Sequence, residues 1–118
     1  MRVLICGDRD WTDKESIRSN LSSLQDVEVV IEGEARGADS LGREVAEELD
    51  IPVIKFPAQW DRFGKAAGYL RNTHMLRYGQ PDIVLAFHDN LEESKGTKDM
   101  VLQAQKAGVP VRIINHKE

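Results

Sequence analysis

The sequence predicts a doubly wound α/β domain, in which a parallel β-sheet of about five strands, ordered 3-2-1-4-5, carries helices on both faces. Short apolar runs alternate strictly with amphipathic helical patterns along the 118 residues. The runs are apolar at successive positions, which is typical of strands that are covered on both faces of a parallel sheet. Together these patterns indicate a Rossmann-like fold and a single domain spanning residues 1–118.

Five apolar runs are interpreted as the strands. Each is four or five residues long, which is a usual strand length and far short of the ~20 apolar residues that a membrane helix needs. The runs are Val3 to Cys6, Val27 to Ile31, Val53 to Phe56, Ile83 to Phe87 and Val111 to Ile114.

The first two helical patterns follow the first two strands. Thr12 and Glu15 have the spacing of a capping box, which predicts the start of the first helix. Apolar residues then recur every three or four positions, as on one face of a helix. These stripes are Ile17, Leu21 and Leu24 in the first helix, and Leu41, Val45 and Leu49 in the second.

The third and fourth helical patterns flank the fourth strand. The third places Ala67, Arg71 and Met75 on one face and ends in the turn residues 78–81. The fourth begins near Thr97 and ends at Gly108, with Pro110 beyond it. Residues 57–65 carry no helical or strand pattern, and a loop of this length is a candidate lid over a site.

Charge and cysteine content restrict the partners. Sixteen Lys and Arg residues against twenty Asp and Glu residues give a net charge of −4, which disfavours a broad surface for nucleic acid or an anionic membrane. The single cysteine, Cys6, lies in an apolar run and is expected to be a buried thiol in a reducing compartment. No charged segment followed by a long apolar stretch begins the sequence, so a cytoplasmic location is expected.

Candidate ligand residues cluster in the loops that follow the strands. Ligands of open parallel sheets bind beyond the carboxyl ends of the strands, and each loop there contains a glycine and a basic residue. Glycine permits close approach of the backbone to an anion, and arginine can grip phosphate oxygens. The candidates are Gly7, Arg9 and Trp11; Gly33, Arg36, Gly37 and Asp39; Lys65; Arg71 and Asn72; and Ser94, Lys95, Gly96 and Thr97.

Each of these residues also has a structural interpretation. The glycines are common in turns of α/β proteins, and Arg71 could instead form an ion pair with a loop carboxylate. Trp11 and Trp60 are candidates for stacking on a base, or alternatively cover an edge of the core. Asp8, Asp10 and Asp13 lack the pattern of a calcium loop, and the histidines lack paired-ligand spacing, so no metal site and no cofactor are expected.

The ordered set of motifs resembles the YspA/YpsA-related branch of the SLOG superfamily, over almost the whole chain. This superfamily joins the Lonely Guy phosphoribohydrolases and the DNA-processing protein DprA through a Rossmann-like nucleotide-binding domain. The matching segments are Ile5 to Trp11, Gly33 to Asp39, Gly64 to Gly68, Arg71-Asn72 with Met75, and Ser94 to Thr97 with Met100.

The resemblance implies nucleotide binding but puts hydrolysis in question. Lonely Guy enzymes cleave the N-glycosidic bond of nucleoside 5′-monophosphates with an arginine and a glutamate; Arg71 matches that arginine, and Met100 stands at the glutamate position. Gly96 and Thr97 match the pair that would hold phosphate. A methionine can neither stabilise positive charge on ribose nor position water. If the chain is an enzyme, another carboxylate would be needed, from Asp8, Glu32, Glu34 or Asp39.

Three functions therefore compete. The first is a binding module or sensor for a nucleotide or nucleotide-derived ligand. The second is an N-glycosidic hydrolase in which Arg71 is catalytic. The third, single-stranded DNA binding by analogy with DprA, is disfavoured by the acidic charge balance. Because Lonely Guy helices form dimer contacts, the resemblance also implies a homodimer.

Overall fold

The computed structural model describes residues 1–117 and contains one five-stranded parallel sheet. The strands are β1 (Arg2–Gly7), β2 (Val29–Glu32), β3 (Val53–Lys55), β4 (Ile83–Phe87) and β5 (Val111–Ile114). The helices are α1 (Lys14–Ser22), α2 (Ala38–Glu48), α3 (Trp60–Phe63), α4 (Ala67–Gly79) and α5 (Gly96–Lys106). The strand order is β3-β2-β1-β4-β5, so the predicted fold class and topology are confirmed.

Two apolar layers hold the helices on the sheet. On one face, α1 and α2 pack against alternate residues of the central strands, with Ile17 and Val45 fully buried over Ile5. On the other face, α4 and α5 bury Met75 and Met100. β1, β2 and β4 are covered on both faces as expected, whereas the edge strands β3 and β5 remain partly exposed. No helix among residues 1–117 combines the length and the hydropathy that crossing a membrane requires.

Two local expectations are corrected by the structure. The capping box at Thr12 is wrong: Asp13 caps α1, and its Oδ1 accepts a hydrogen bond from the Ser16 backbone N–H at 3.1 Å. The stretch predicted to be irregular, residues 57–65, contains α3 and leads into a 3₁₀ turn over Gly64–Ala66. A four-residue helix is too short to show a helical period, which is why the sequence pattern missed it.

The topology brings the loops with the candidate ligand residues to one edge of the sheet. The chain leaves β1 towards β2 and β3 on one side, and later enters β4 and β5 on the other side. The strand order therefore reverses between β1 and β4, where a crevice opens beyond the carboxyl ends of an open parallel sheet. The backbone N–H of Asp8, just after β1, donates to the carbonyl of Phe87 at 2.9 Å and closes the bottom of that crevice.

His116 anchors the segment that follows β5. Its ring nitrogens lie 2.8 Å from Asp13 Oδ2 and 2.9 Å from Asp89 Oδ2, and the ring stacks on Trp11 at a centroid distance of 4.6 Å. Hydrogen bonds with Asp89 and then Asp13 raise the pKa of His116, and the same contacts lower the pKa of both carboxyl groups. The imidazole therefore links the end of β5 to the start of α1, through contacts that favour its protonated form.

We expect His116→Gln to destabilise the protein most at mildly acidic pH. A histidine with a raised folded-state pKa contributes stability that is present below its unfolded pKa and lost as pH rises through the folded value. The aspartates keep their contribution until pH falls through their lowered pKa values. Urea unfolding of wild type and variant from pH 5 to pH 9 should show a gap that narrows towards pH 9; a gap independent of pH would contradict the charged interaction.

Candidate functional site

A cleft of about 420 Å³ opens beyond β1 and β4, between α4 and the N-terminus of α5. Its walls come from the loops after β1, β2 and β4 and from the α3–α4 region. The structure brings most of the predicted residues to this one place. They are Gly7, Arg9, Arg36, Asp39, Trp60, Lys65, Arg71, Asn72, Ser94, Lys95, Gly96 and Thr97.

Trp11 does not reach the cleft, and its expected stacking on a base is wrong. The side chain is only 5% exposed and packs in the core against Phe87, with ring centroids 5.7 Å apart. Its Nε1 donates to the carbonyl of Asp13 at 3.0 Å. Because this hydrogen bond ties the indole to the α1 cap, Trp11 covers an edge of the core.

Gly33 and Gly37 shape the loops and do not line the cleft itself. Gly37 has a φ of 75°, and a Cβ there would overlap the carbonyl oxygens of Asp8 and Arg9, so the loops after β1 and β2 touch at this glycine. Gly33 borders a smaller hollow beside the cleft. A Cβ on Gly33 would lie 2.8 Å from Cζ of Arg71 and 2.9 Å from Oδ2 of Asp39. The positions of both side chains therefore require that residue 33 has no side chain.

Arg71 and Asp39 both form hydrogen bonds with the backbone of Gly33. Arg71 Nη1 donates to the Gly33 carbonyl at 2.5 Å. Asp39 Oδ2 accepts from the backbone N–H groups of Gly33 and Ala35 at 3.2 and 3.3 Å. Burial raises the pKa of Asp39 to about 6, against the opposing effect of the Arg71 cation and the two N–H donors. Asp39 is thus a nearly buried carboxyl group that changes charge close to neutral pH.

The side chain of Asn72 forms its hydrogen bonds within the protein. It is 3% exposed, its Oδ1 accepts from Arg71 Nε at 3.0 Å, and its Nδ2 donates to the Gly96 carbonyl at 3.1 Å and to Asp99 Oδ2 at 3.0 Å. These bonds fix α4 against the first turn of α5. The residue predicted to contact ligand therefore positions Arg71 relative to the helix N-terminus.

The N-terminus of α5 borders the cleft through Gly96 and Thr97. Ser94 Oγ accepts from the Thr97 N–H at 3.0 Å and caps that donor. The N–H group of Gly96 has no protein acceptor within the described part of the chain. Free N–H groups and the helix dipole make such an end a site for anions, and Lys95 adds a full positive charge beside it.

An aromatic surface lies on the α3 side of the cleft. Trp60 is 48% exposed, and the guanidinium of Arg9 sits over its ring at 5.6 Å from the centroid. Arg36 stands at the rim, where its Nη2 is 3.4 Å from Asp10 Oδ1. Trp60 therefore has the exposure that stacking on a planar base requires, which Trp11 lacks.

Several residues that line the cleft were not predicted as ligand contacts, among them Cys6, Tyr69 and His88. Cys6 lies on the floor, and burial raises the pKa of its thiol well above the usual range, so the thiol stays protonated. His88 accepts from the Asn90 N–H through Nδ1 at 2.9 Å, and its Nε2 is 4.0 Å from Asp8 Oδ2. Tyr69 is on the α4 side. His88 directly follows β4, and this position could have identified it.

The acidic residues considered as substitutes for a catalytic glutamate differ in whether they line the cleft. Met100 is fully buried among apolar residues at the base of the cleft. Glu32 is also fully buried but does not line the cleft, and burial, with Glu34 beside it, raises its pKa to about 8. Glu34 faces Arg43 on α2, with 3.5 Å between its Oε1 and the arginine Nε. Of the four candidates, only Asp8 and Asp39 line the cleft.

Comparisons with known proteins support the family that the motifs indicate, and the family model covers the first two of the five motif segments. The model of the YspA, cpYpsA-related SLOG family matches residues 1–63, which run from β1 to the end of α3. The chain is also 39% identical over 119 residues to the Gene 61 protein of Mycobacterium phage D29, and the alignment covers 93% of each chain. Among residues 1–117 no group of three or more His, Cys, Asp or Glu side chains is arranged to hold a metal ion.

Proposed function

Because the chain belongs to the YspA, cpYpsA-related SLOG family, we propose that it binds a nucleotide or nucleotide-derived ligand and acts as a ligand sensor or binding module. The observation that carries this proposal is the N-terminus of α5, where Gly96, with a free backbone N–H group, and the neighbouring Lys95 border the cleft. A phosphate group suits this end of a helix by both charge and hydrogen bonding.

The charge distribution around the cleft supports an anionic ligand. The whole chain carries a net charge of −4, yet five Lys and Arg side chains line this one cleft, against the three carboxyl groups of Asp8, Asp10 and Asp39. The five basic side chains are Arg9, Arg36, Lys65, Arg71 and Lys95. Such a local concentration of positive charge on an acidic protein favours a small anion over an extended polyanion.

Arg71 keeps donors available for that ligand. A guanidinium has five N–H groups, and two of them are used by Asn72 and the Gly33 carbonyl. The remaining three have no protein acceptor within residues 1–117, and the side chain lines the cleft. Fixed by its own hydrogen bonds, Arg71 offers a preorganised edge to a phosphate or sugar oxygen.

We expect Lys95→Ala to weaken nucleotide binding by about tenfold or more, because a charge-assisted contact to phosphate is lost. Lys98→Ala is the matched control: it removes the same charge from the same helical turn, but Lys98 Nζ bonds Glu92 Oε2 at 2.9 Å on the surface. Calorimetry and native mass spectrometry with a nucleotide library measure the effect. Absence of binding by the wild-type protein across the library would refute the proposal.

A second candidate function is hydrolysis of an N-glycosidic bond, with Arg71 orienting the substrate. The specific observation in its favour is Asp39, a carboxyl group in the cleft wall with a pKa of about 6, which is suited to accept a proton near neutral pH. Release of free base by the pure protein, lost in Arg71→Ala with folding intact, would favour the enzyme. Recovery of the bound nucleotide unchanged would favour the sensor.

A further inference from the structure

Arg71 lies close to two other parts of the cleft. Asn72 bonds both Arg71 Nε and the Gly96 carbonyl, so two hydrogen bonds connect the guanidinium to the N-terminus of α5. Trp60 is also near: a Cβ placed on Gly68 would be 3.4 Å from Cη2 of Trp60 and 4.0 Å from Nη2 of Arg71. The anion site, the guanidinium and the exposed aromatic ring therefore line one cleft.

Asp39 adds an open acceptor beside Arg71. Its Oδ2 is occupied by the N–H groups of Gly33 and Ala35. Its Oδ1 has no protein donor within the described residues, but it is not among the atoms sealed from solvent, and the residue lines the cleft. The pair thus presents donors from Arg71 and an acceptor from Asp39 side by side, both anchored on Gly33.

We infer that Arg71 and Asp39 recognise the ribose hydroxyls of a nucleoside 5′-phosphate whose phosphate lies at the N-terminus of α5 and whose base stacks on Trp60. This inference rests on the nucleotide binding proposed above. A hydroxyl group both donates and accepts, so it can donate to Asp39 Oδ1 and accept from Arg71 Nη2 at the same time. Because the N-terminus of α5, the Arg71 and Asp39 pair and Trp60 line one cleft, a single nucleotide can contact all three with its phosphate, sugar and base.

The protonation of Asp39 gives this inference a distinctive readout. A ribose hydroxyl donates best to the ionised carboxylate, so recognition of the hydroxyl should weaken as pH falls below about 6. The groups that face Asp39 are Arg71 from α4, Arg9 from the loop after β1, the protonated Cys6 thiol from β1 and the buried Glu32 from β2. Burial raises the pKa of the Cys6 thiol well above this pH range and that of Glu32 to about 8, so both groups are mainly protonated from pH 7.5 to pH 5.

The test compares ligands that differ only in their hydroxyl groups. AMP, GMP, CMP and UMP are titrated into the full chain by calorimetry, together with the 2′,3′-dideoxy counterpart of each one that binds. We expect the dideoxy form to bind about tenfold more weakly or worse at pH 7.5. Because the phosphate itself titrates near pH 6, the ratio of the two affinities is the measured quantity, and it should shrink from pH 7.5 to pH 5.

Asp39→Asn and a matched control separate recognition from support of the loop. The asparagine can still accept from the Gly33 and Ala35 N–H groups, but it does not titrate, so the affinity ratio should become independent of pH. Asp50→Asn removes the same charge just beyond the other end of α2 and should keep the wild-type ratio and its pH dependence. If Asp39→Asn does not fold, the pH dependence of the wild-type ratio still decides the question.

The outcomes distinguish ribose recognition by Arg71 and Asp39 from the proposed nucleotide binding on which it rests. Binding of none of the four monophosphates by the wild-type protein would overturn nucleoside monophosphate binding, and the ribose inference with it. Equal binding of a monophosphate and its dideoxy form would leave nucleotide binding intact and overturn ribose recognition alone. A wild-type ratio that does not change with pH would remove Asp39 from that recognition.

Discussion

Gly33→Ala should abolish measurable nucleotide binding and lower the free energy of unfolding by about 2 kcal/mol. The added Cβ would lie 2.8 Å from Arg71 Cζ and 2.9 Å from Asp39 Oδ2, closer than non-bonded atoms tolerate. Relief requires that the guanidinium and the carboxylate move apart. Both then lose their hydrogen bonds to Gly33, and buried polar groups without partners destabilise the fold.

The cause is contact and not backbone strain, since Gly33 is not among the glycines with positive φ. Gly96→Ala is the control for stability, because nothing lies within 4 Å of a Cβ at that position and alanine suits a helix better than glycine. Urea unfolding and calorimetry with the nucleotide that binds wild type measure both effects. Wild-type affinity in Gly33→Ala would show that the Arg71 and Asp39 arrangement is not needed for binding.

Periodicity was sufficient to predict the sheet, because alternating apolar runs and helical stripes report burial directly. The loops that follow the strands gather at one edge because all the strands of a parallel sheet end there. The same reasoning could not separate the two tryptophans. Both follow a strand at the same edge, but Trp11 is drawn into the core beside Phe87, whereas Trp60 lies on a short helix facing the cleft.

The roles of Arg71, Asn72 and Asp39 illustrate a second limit. Their motifs predicted that they meet near one ligand site, and the structure places all three around the cleft. That Arg71 and Asp39 share Gly33 depends on contacts between α4, α2 and the end of β2, which are distant in sequence. The hydrogen bonds from Asn72 to Gly96 and Asp99 likewise depend on the spacing between α4 and α5. Sequence motifs carry residue types but not these distances.

Met100→Glu should destabilise the protein by about 3 kcal/mol or more at pH 7 and should not produce a hydrolase. Met100 is fully buried at the base of the cleft, in the apolar layer with Leu4, Met75 and Ala86, so a glutamate there would place a carboxylate against apolar side chains. Burial raises the folded-state pKa of such a group. Its destabilisation is therefore smallest below the ordinary glutamate pKa of about 4.3 and grows as pH rises towards the raised value.

Two further variants isolate the charge at this position. Met100→Leu conserves volume and should cost less than about 1.5 kcal/mol, while Met100→Gln adds polarity without charge and should show a loss that does not vary with pH. Urea unfolding of all three from pH 4 to pH 8, with an assay for release of free base, measures stability and activity together. A stable Met100→Glu variant that releases base would mean that the position reaches the ligand. The cleft would then need only one carboxylate at that place to act as a hydrolase.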